Sequence, residues 1–316
     1  MNIFVTGITG FVGRAIASRL QSDGHRVTAA IRETNKSYIE DVALVPFDNL
    51  VTYDWSSALN GQDVVVHCAA RVHVMNDLAQ DPLMEFRRIN VDGTLNIARC
   101  AARVGVKRFI FISSIKVNGE GTQLGHPFSA DDTAAPQDPY GVSKCEAEQQ
   151  LLALASETNL DVVIIRPVLV YGPGVKANFQ SMMAWLSKGI PLPLGAISNK
   201  RSMVALDNLV DLIAVCTVHP AAANQVFLVS DGEDLSTTQL MKRTAKALGK
   251  TARLLPVPVW LLNLAARLLG KPAIAQRLCG SLQVDIEKTR ALLGWKPPIS
   301  VDEALGKTAR NFLERR

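Results

Sequence analysis

Asn2-Ile-Phe-Val-Thr-Gly7-Ile-Thr-Gly10-Phe-Val-Gly13 opens the chain, and its reading decides the fold. The apolar run 2–6 has the character of a buried strand in a parallel sheet. Phe11, Val12, Ala15, Ile16 and Leu20 then recur with helical period. Closely spaced glycines carry meaning in this strand–turn–helix context. They permit a tight turn and let backbone N–H groups approach a pyrophosphate at the helix N-terminus, where the partial positive charge favours an anion. The spacing is GxxGxxG instead of GxGxxG, and it predicts a dinucleotide site. Met1 leading straight into the strand is read as leaving no signal or transit peptide.

Further strand-like runs follow at 27–31, 64–68, 109–113, 162–166 and 226–229, with helical patterns between them, notably at 81–104 and 140–158. Such alternation predicts an α/β fold, a Rossmann-type doubly wound parallel sheet with functional loops at the carboxyl ends of its strands. After Gly174 the pattern loosens into glycines and prolines, and a second break follows Asp231-Gly232. Residues 1–173 with about 204–232 are expected to form the dinucleotide-binding domain. Residues about 174–203 with 233–316 are expected to form a smaller, discontinuous substrate lobe.

The 316 residues suffice for this architecture, and 48% apolar with 20% charged residues fits a well-cored globular chain. A net charge of +5 is spread without a basic block, and no motif for reading nucleic acid is present. Cys68, Cys100, Cys145, Cys216 and Cys279 lie far apart with no CxxC or paired histidine, so they read as reduced, cytoplasmic, mostly core residues, and no metal site is expected. Pro256, Pro258, Arg253 and Arg267 keep the leucine-rich segment 254–269 shorter than the roughly 20 apolar residues of a membrane span. It reads as an amphipathic helix packed on its own domain, with peripheral membrane contact as the alternative.

Chemistry concentrates at Ser113-Ser114, which ends a strand, and at Tyr140-x-x-x-Lys144, one helical turn apart on one face. A phenol ordinarily titrates near 10, and an ammonium four residues on is expected to lower that value. Ser114 would hold a substrate oxygen as charge develops, and Tyr140 would exchange its proton while a hydride passes between nicotinamide and carbon.

With these motifs the chain resembles the extended short-chain dehydrogenase/reductase family, the branch of nucleotide-sugar epimerases, dehydratases and 4-ketoreductases. The resemblance covers nearly the whole length. His67-Cys-Ala-Ala70, Asn90-Val-Asp-Gly-Thr94, Arg166-Pro-x-x-Val-Tyr-Gly-Pro-Gly174 and Arg201-Ser-Met-Val-Ala-Leu-Asp-Asn208 carry it further. It implies coenzyme contacts at Gly7, Thr9, Gly10, Phe11, Val12, Gly13, Arg32, Asp54, Ala69, Ala70, Asn90, Ser113, Pro167 and Val170, besides Tyr140 and Lys144. It implies a nucleotide-diphosphate sugar as substrate, with Arg201, Lys116 and Asn178 as its contacts. Similar proteins dimerise through the helices at 81–104 and 140–158, which makes a homodimer the expected assembly.

Two departures from the family narrow the expectation. NAD-preferring relatives carry an acid after the second strand, whereas this chain has Ile31-Arg32. Arg32 suits a 2′-phosphate and favours NADP(H) over NAD(H), with Glu33 as a complication. Ile115 and Lys116 stand where dehydratases resemble Asp-Glu, which removes dehydration. Asn118 replaces a tyrosine common at its position. The leading expectation is therefore an NADPH-dependent reductase of a UDP-linked 4-keto-6-deoxy-N-acetylhexosamine in surface polysaccharide synthesis, on the local wording of 71–76 and 114–120. The alternative is a UDP-sugar 4-epimerase holding NAD tightly. A steroid- or flavonoid-type carbonyl reductase and a non-enzymatic NADP sensor stand further off.

Overall fold

The computed structural model describes residues 1–32, 42–72 and 81–315. Seven strands form one parallel sheet: β1 (Asn2–Thr6), β2 (Arg26–Ile31), β3 (Ala43–Pro46), β4 (Val64–His67), β5 (Arg108–Ile112), β6 (Asp161–Pro167) and β9 (Gln225–Val229). Their order is β3-β2-β1-β4-β5-β6-β9, so the chain reverses its direction of growth between β1 and β4. Open sheets of this kind place a ligand crevice at such a switch point, outside the carboxyl ends of the strands. The doubly wound α/β fold expected from the sequence is the one observed.

Side chains alternate across the sheet because the strand period is two. On β5, Ile110 and Ile112 enter the core shared with α1 (Phe11–Ser22) and α7 (Leu206–Val218). Phe109 and Phe111 enter the opposite core, beneath α2 (Ser56–Leu59), α4 (Thr94–Arg103) and α5 (Pro139–Glu157). Trp55, fully buried, holds β3 and its connection to this second core through an edge contact with Phe4 and tilted ring contacts with Phe47 and Tyr53.

The stretch expected as one helix over 81–104 is α3 (Pro82–Arg87), a wider π turn at Arg88–Gly93, and then α4. Such turns recur at functional sites, and this one carries Asn90. Three short strands escape the sequence reading: β3, and the parallel pair β7 (Leu169–Tyr171) and β8 (Met203–Ala205).

A third core cluster joins Tyr171, α6 (Ala177–Ser187), α8 (Thr237–Ala247) and α12 (Val301–Glu314). Leu282, Val284, Leu293 and Trp295, around α11 (Glu287–Leu293), pack instead with the sheet core. Gly294 ends α11 at φ 61°, and the Trp295 indole donates to Asp211 at 2.9 Å. Between α8 and α11 lie α9 (Val259–Leu268) and α10 (Pro272–Cys279). Among the described residues no helix is long and apolar enough to cross a membrane.

Candidate active site

The glycine turn bridges β1 and α1. Gly7 has φ 75°, and a Cβ there would stand 2.7 Å from the Ala69 nitrogen. A Cβ on Gly13 would stand 2.2 Å from the Gly7 carbonyl oxygen, so any side chain at 13 would push the helix off the turn. Gly10 caps α1 without a side-chain hydrogen bond, and the first turn holds no acid. Among the described residues no side chain caps the start of α1, which lies at the switch point beside exposed Thr9 and Gly10. This is a cradle that fits a pyrophosphate, and its tight turn leaves no room for a Cβ at Gly7 or Gly13. Phe11 and Val12 are half-buried on the core behind it.

Beneath the cradle, Thr6, His67 and Thr94 form a buried chain. The His67 ring nitrogens lie 2.9 Å from Thr6 Oγ1 and 3.0 Å from Thr94 Oγ1, and Ala69 N–H donates to Thr6 Oγ1 at 3.1 Å. Burial, then the Lys144 charge, push His67 down to about 3, so its ring is neutral. It fixes Ala69-Ala70 against the turn and moves no proton at ordinary pH.

Asp138 caps α5, accepting from Gly141 N–H at 2.7 Å, and Pro139 fits the first turn. This start point sets the helix phase. Tyr140, Lys144 and Glu148 follow at four-residue intervals and face the end of β5 together. Tyr140 shares a side-chain hydrogen bond with Ser114. Lys144, almost wholly buried, donates to the Ile112 carbonyl at 2.8 Å and lies 4.3 Å over the Phe111 ring. Burial lowers its ammonium to about 8. Asn90 binds the Arg71 backbone through both its amide atoms and donates to Ser143 Oγ at 3.0 Å, tying the π turn to α5.

One expectation reverses here. Tyr140 is pushed up, not down, to about 12, first by burial and then by the Asp138 carboxylate, with the Ser114 hydrogen bond opposing both. Lys144 spends its ammonium on a backbone carbonyl and a ring face and does not lower the phenol.

Sequence reasoning missed the layer below. Ser113 Oγ donates to Glu148, which forms a forked pair with Arg166, and Arg166 donates to Asn118 Oδ1 at 3.0 Å. Asn118, unexplained in the sequence, is thus an acceptor for a buried guanidinium. The four-residue repeat from Tyr140 to Glu148 was the available signal.

Other expected site residues have different surroundings. Lys116 is paired with Asp138 and, at 3.0 Å, with Glu120. Arg32 is exposed just beyond β2, while Ile31 turns into the core; Glu33 and 73–76 lie outside the described residues. Asp54 is exposed, and hydrogen bonds from the Ser56 side chain and then from its N–H, at 3.0 Å, lower its carboxyl. Pro167 is buried at the end of β6, Val170 lies half-buried in β7, and Asn178 is exposed in the first turn of α6. Arg201 donates to the carbonyls of Arg277 at 3.2 Å and Gly280 at 3.1 Å, and burial lowers its guanidinium.

Fold, glycine cradle and serine–tyrosine–lysine group together define a nicotinamide-dependent enzyme of the extended short-chain dehydrogenase/reductase type. The chain belongs to the NAD dependent epimerase/dehydratase family, whose model matches residues 3–230. It is 52% identical to a UDP-glucose 4-epimerase of Vibrio cholerae over 99% of this chain and 96% of that protein. The UDP-glucose 4-epimerase of Thermotoga maritima solved with UDP-glucose superposes with a TM-score of 0.80 at 22% identity, covering 100% and 99% of the two chains. A UDP-glucuronic acid 4-epimerase from Bacillus cereus solved with NAD gives 0.77 at 20% identity over 99% of each chain. The 52% relative overturns the leading sequence expectation of a 4-ketoreductase: Ile31-Arg32 and the wording of 71–76 and 114–120 were too slight to choose between reduction and epimerisation.

Proposed function

We propose that the protein is a UDP-sugar 4-epimerase. The observation that carries this reading is the 52% identity, end to end, to a UDP-glucose 4-epimerase, joined to a glycine cradle and the Ser114–Tyr140–Lys144 group on one sheet edge. Gly7, Gly10 and Gly13 would hold the coenzyme pyrophosphate, with Thr9, Ala69, Ala70 and Asn90 around it and Lys144 toward a ribose. The bound coenzyme supplies a hydride acceptor that, when oxidised, carries a cationic ring.

The chain's own residues manage the proton. Ser114 Oγ would hold the C4 oxygen of the sugar. Tyr140 Oη, as the phenolate that a neighbouring cationic coenzyme ring would favour, would take the hydroxyl proton as that carbon is oxidised, becoming the neutral phenol. The same phenol returns the proton after the sugar has turned its other face. Tyr140 sits half-buried, where a proton passing between two oxygens exchanges little with solvent. Its high proton affinity, set by burial and the Asp138 carboxylate, favours the step in which the phenolate takes the proton.

The outer lobe, about 174–203 with 233–316, is taken to hold the nucleotide diphosphate. Arg201 suits this because its guanidinium is largely buried and no carboxylate contributes to its shift. The resident coenzyme is taken to be NAD(H), since an epimerase returns its hydride and needs no reducing pool. Arg32 is where an NADP preference would act.

Purified protein incubated with UDP-glucose, or with UDP-N-acetylglucosamine, and no added coenzyme should yield the 4-epimer. Denaturation should release one dinucleotide, whose mass tells NAD from NADP. Absence of epimer from both sugars in protein that carries dinucleotide would overturn the reading.

A further inference from the structure

We propose that the α9–α10 hairpin docks on an anionic lipid surface. This goes beyond the epimerase reading and does not depend on it. The helix α9 buries none of its residues completely. Val259 and Leu262 lean on the outer-lobe core. Trp260, Leu261, Leu264 and Leu268 form a stripe on the opposite side, since positions three and four apart share a helix face. Trp260 is 67% exposed and Leu268 is 80% exposed. Leu269 and Ile274 extend the stripe through the turn and onto α10. A contiguous exposed patch of this kind marks an interaction site.

The hairpin is held with this face outward. At its root, Leu192 N–H donates to the Arg253 carbonyl and Leu255 N–H to the Leu192 carbonyl. At its far end the Leu278 carbonyl accepts from Asn199 and Thr237. These bonds fix both ends, so the stripe has no route to its own core.

Charge selects the occupant. No Asp or Glu occurs from residue 235 through 284, whereas Lys250, Arg253, Arg267, Lys271 and Arg277 fall around the hairpin. None of these five forms an ion pair among the described residues. A second copy of the chain would bring the same positive field to the contact, and like charges disfavour that pairing. An anionic bilayer offers the complement to both features. Leucines enter the acyl boundary, the Trp260 indole rests at the headgroup level, and the cations meet lipid phosphates. Ten residues make α9 about 15 Å long, half the thickness of a hydrocarbon core, so the helix lies on the membrane and does not cross it. Because Arg201 bonds the carbonyls of Arg277 and Gly280, docking would bring the proposed diphosphate pocket beside the lipid surface.

The test is flotation of the whole chain with vesicles of phosphatidylcholine alone or mixed about 3:1 with phosphatidylglycerol. Binding is expected to the mixed vesicles only, and to fall in about 0.5 M salt. The triple variant Trp260→Ser, Leu264→Ser, Leu268→Ser and, separately, Arg267→Glu with Lys271→Glu should each bind ~tenfold or more weakly, with circular dichroism and turnover unchanged. In a Trp185→Phe background, the emission of Trp260 should shift to the blue on adding mixed vesicles. Equal binding by the triple variant, or no binding to mixed vesicles at low salt, overturns the proposal. So does a self-association that the triple variant abolishes while vesicles bind neither protein.

Discussion

Glu148 and Arg166 form a forked ion pair buried beneath the Ser113–Ser114 end of β5, with Arg166 Nε 3.0 and 3.1 Å from the two carboxylate oxygens and Nη2 2.6 Å from one of them. Glu148 lies two turns after Tyr140 on α5, so this pair, with Ser113 and Asn118, clamps the helix that presents Tyr140 and Lys144 to the strands that carry Ser114. Breaking it should damage stability before chemistry. Glu148→Gln leaves a buried guanidinium uncompensated and is expected to cost about 3–5 kcal/mol in urea unfolding. The double variant Glu148→Met, Arg166→Met should recover most of that loss. A single variant as stable as the parent would show that the pair does not clamp the helix.

Much of this frame was legible in the sequence, for stated reasons. The main strands announce themselves because a strand buried on both faces is continuously apolar, as at Phe109–Ile112 and Val162–Ile165. The glycine turn is legible because Gly7 and Gly13 have no room for a Cβ. β3, β7 and β8 were missed because three or four residues carry no period. The layer under the site was missed because its partners are remote in sequence: Arg166 reaches back to Glu148 and Asn118, and His67 joins Thr6 to Thr94. Tyr140's direction of shift was misjudged because spacing shows that Lys144 is near, but not that its ammonium is spent on Ile112. Reduction against epimerisation was misjudged because both use the same trio.

Asp138 has two duties, capping α5 and raising the proton affinity of Tyr140, and only one survives replacement by asparagine. Asparagine caps as well as aspartate, so Asp138→Asn should fold normally. Without the carboxylate, Tyr140 titrates lower, and the limb of the kcat–pH profile that reports its deprotonation should move to lower pH. Lys116→Met leaves the same carboxylate unneutralised and should move that limb upward. Profiles that move the same way in both variants would remove Asp138 from the account.

His67 predicts a signature in stability. Its folded value of about 3 lies below the unfolded 6.5, so in that window the unfolded state binds a proton that the folded state refuses. Stability from this residue is complete above 6.5 and falls as pH drops toward 3. Between pH 6.5 and 5 the loss is roughly 2 kcal/mol. His67→Asn should be less stable than the parent at pH 7, yet lose less on acidification to pH 5. Parallel urea-stability curves for the two proteins across this range would contradict a neutral, buried ring.

Tyr140→Phe removes the proposed proton carrier while leaving the glycine cradle intact. Turnover should fall by about 10²–10⁴-fold, with the amount of dinucleotide released on denaturation unchanged. Ser114→Ala should cost less, since it removes the hydrogen bond to the phenol and the one proposed to the C4 oxygen. Lys144→Ala should differ in kind. It strips the Ile112 carbonyl of its donor and, on the proposed reading, the ribose of its partner, so bound dinucleotide should fall together with rate. Equal dinucleotide content in all three variants would place Lys144 outside the coenzyme site.

Arg201 separates binding from chemistry. Its guanidinium is largely buried, its partners are the backbone carbonyls of Arg277 and Gly280, and the sole cause of its shift is burial. A cation kept in this way without a carboxylate costs the folded chain something that an incoming diphosphate can offset. Replacing it by methionine keeps the volume of the stem and removes the charge. Charge-assisted bonds of this kind contribute about 1.5–3 kcal/mol, so KM for the UDP-sugar should rise by roughly 10- to 150-fold while kcat stays within a few-fold. The inhibition constant of free UDP should rise by the same factor, because UDP carries the diphosphate and lacks the sugar. Thermal stability should hold or improve, as a desolvated charge has been removed. A fall in kcat with KM unchanged would instead put Arg201 at the reacting sugar, and an unaltered UDP affinity would take the diphosphate to another part of the lobe.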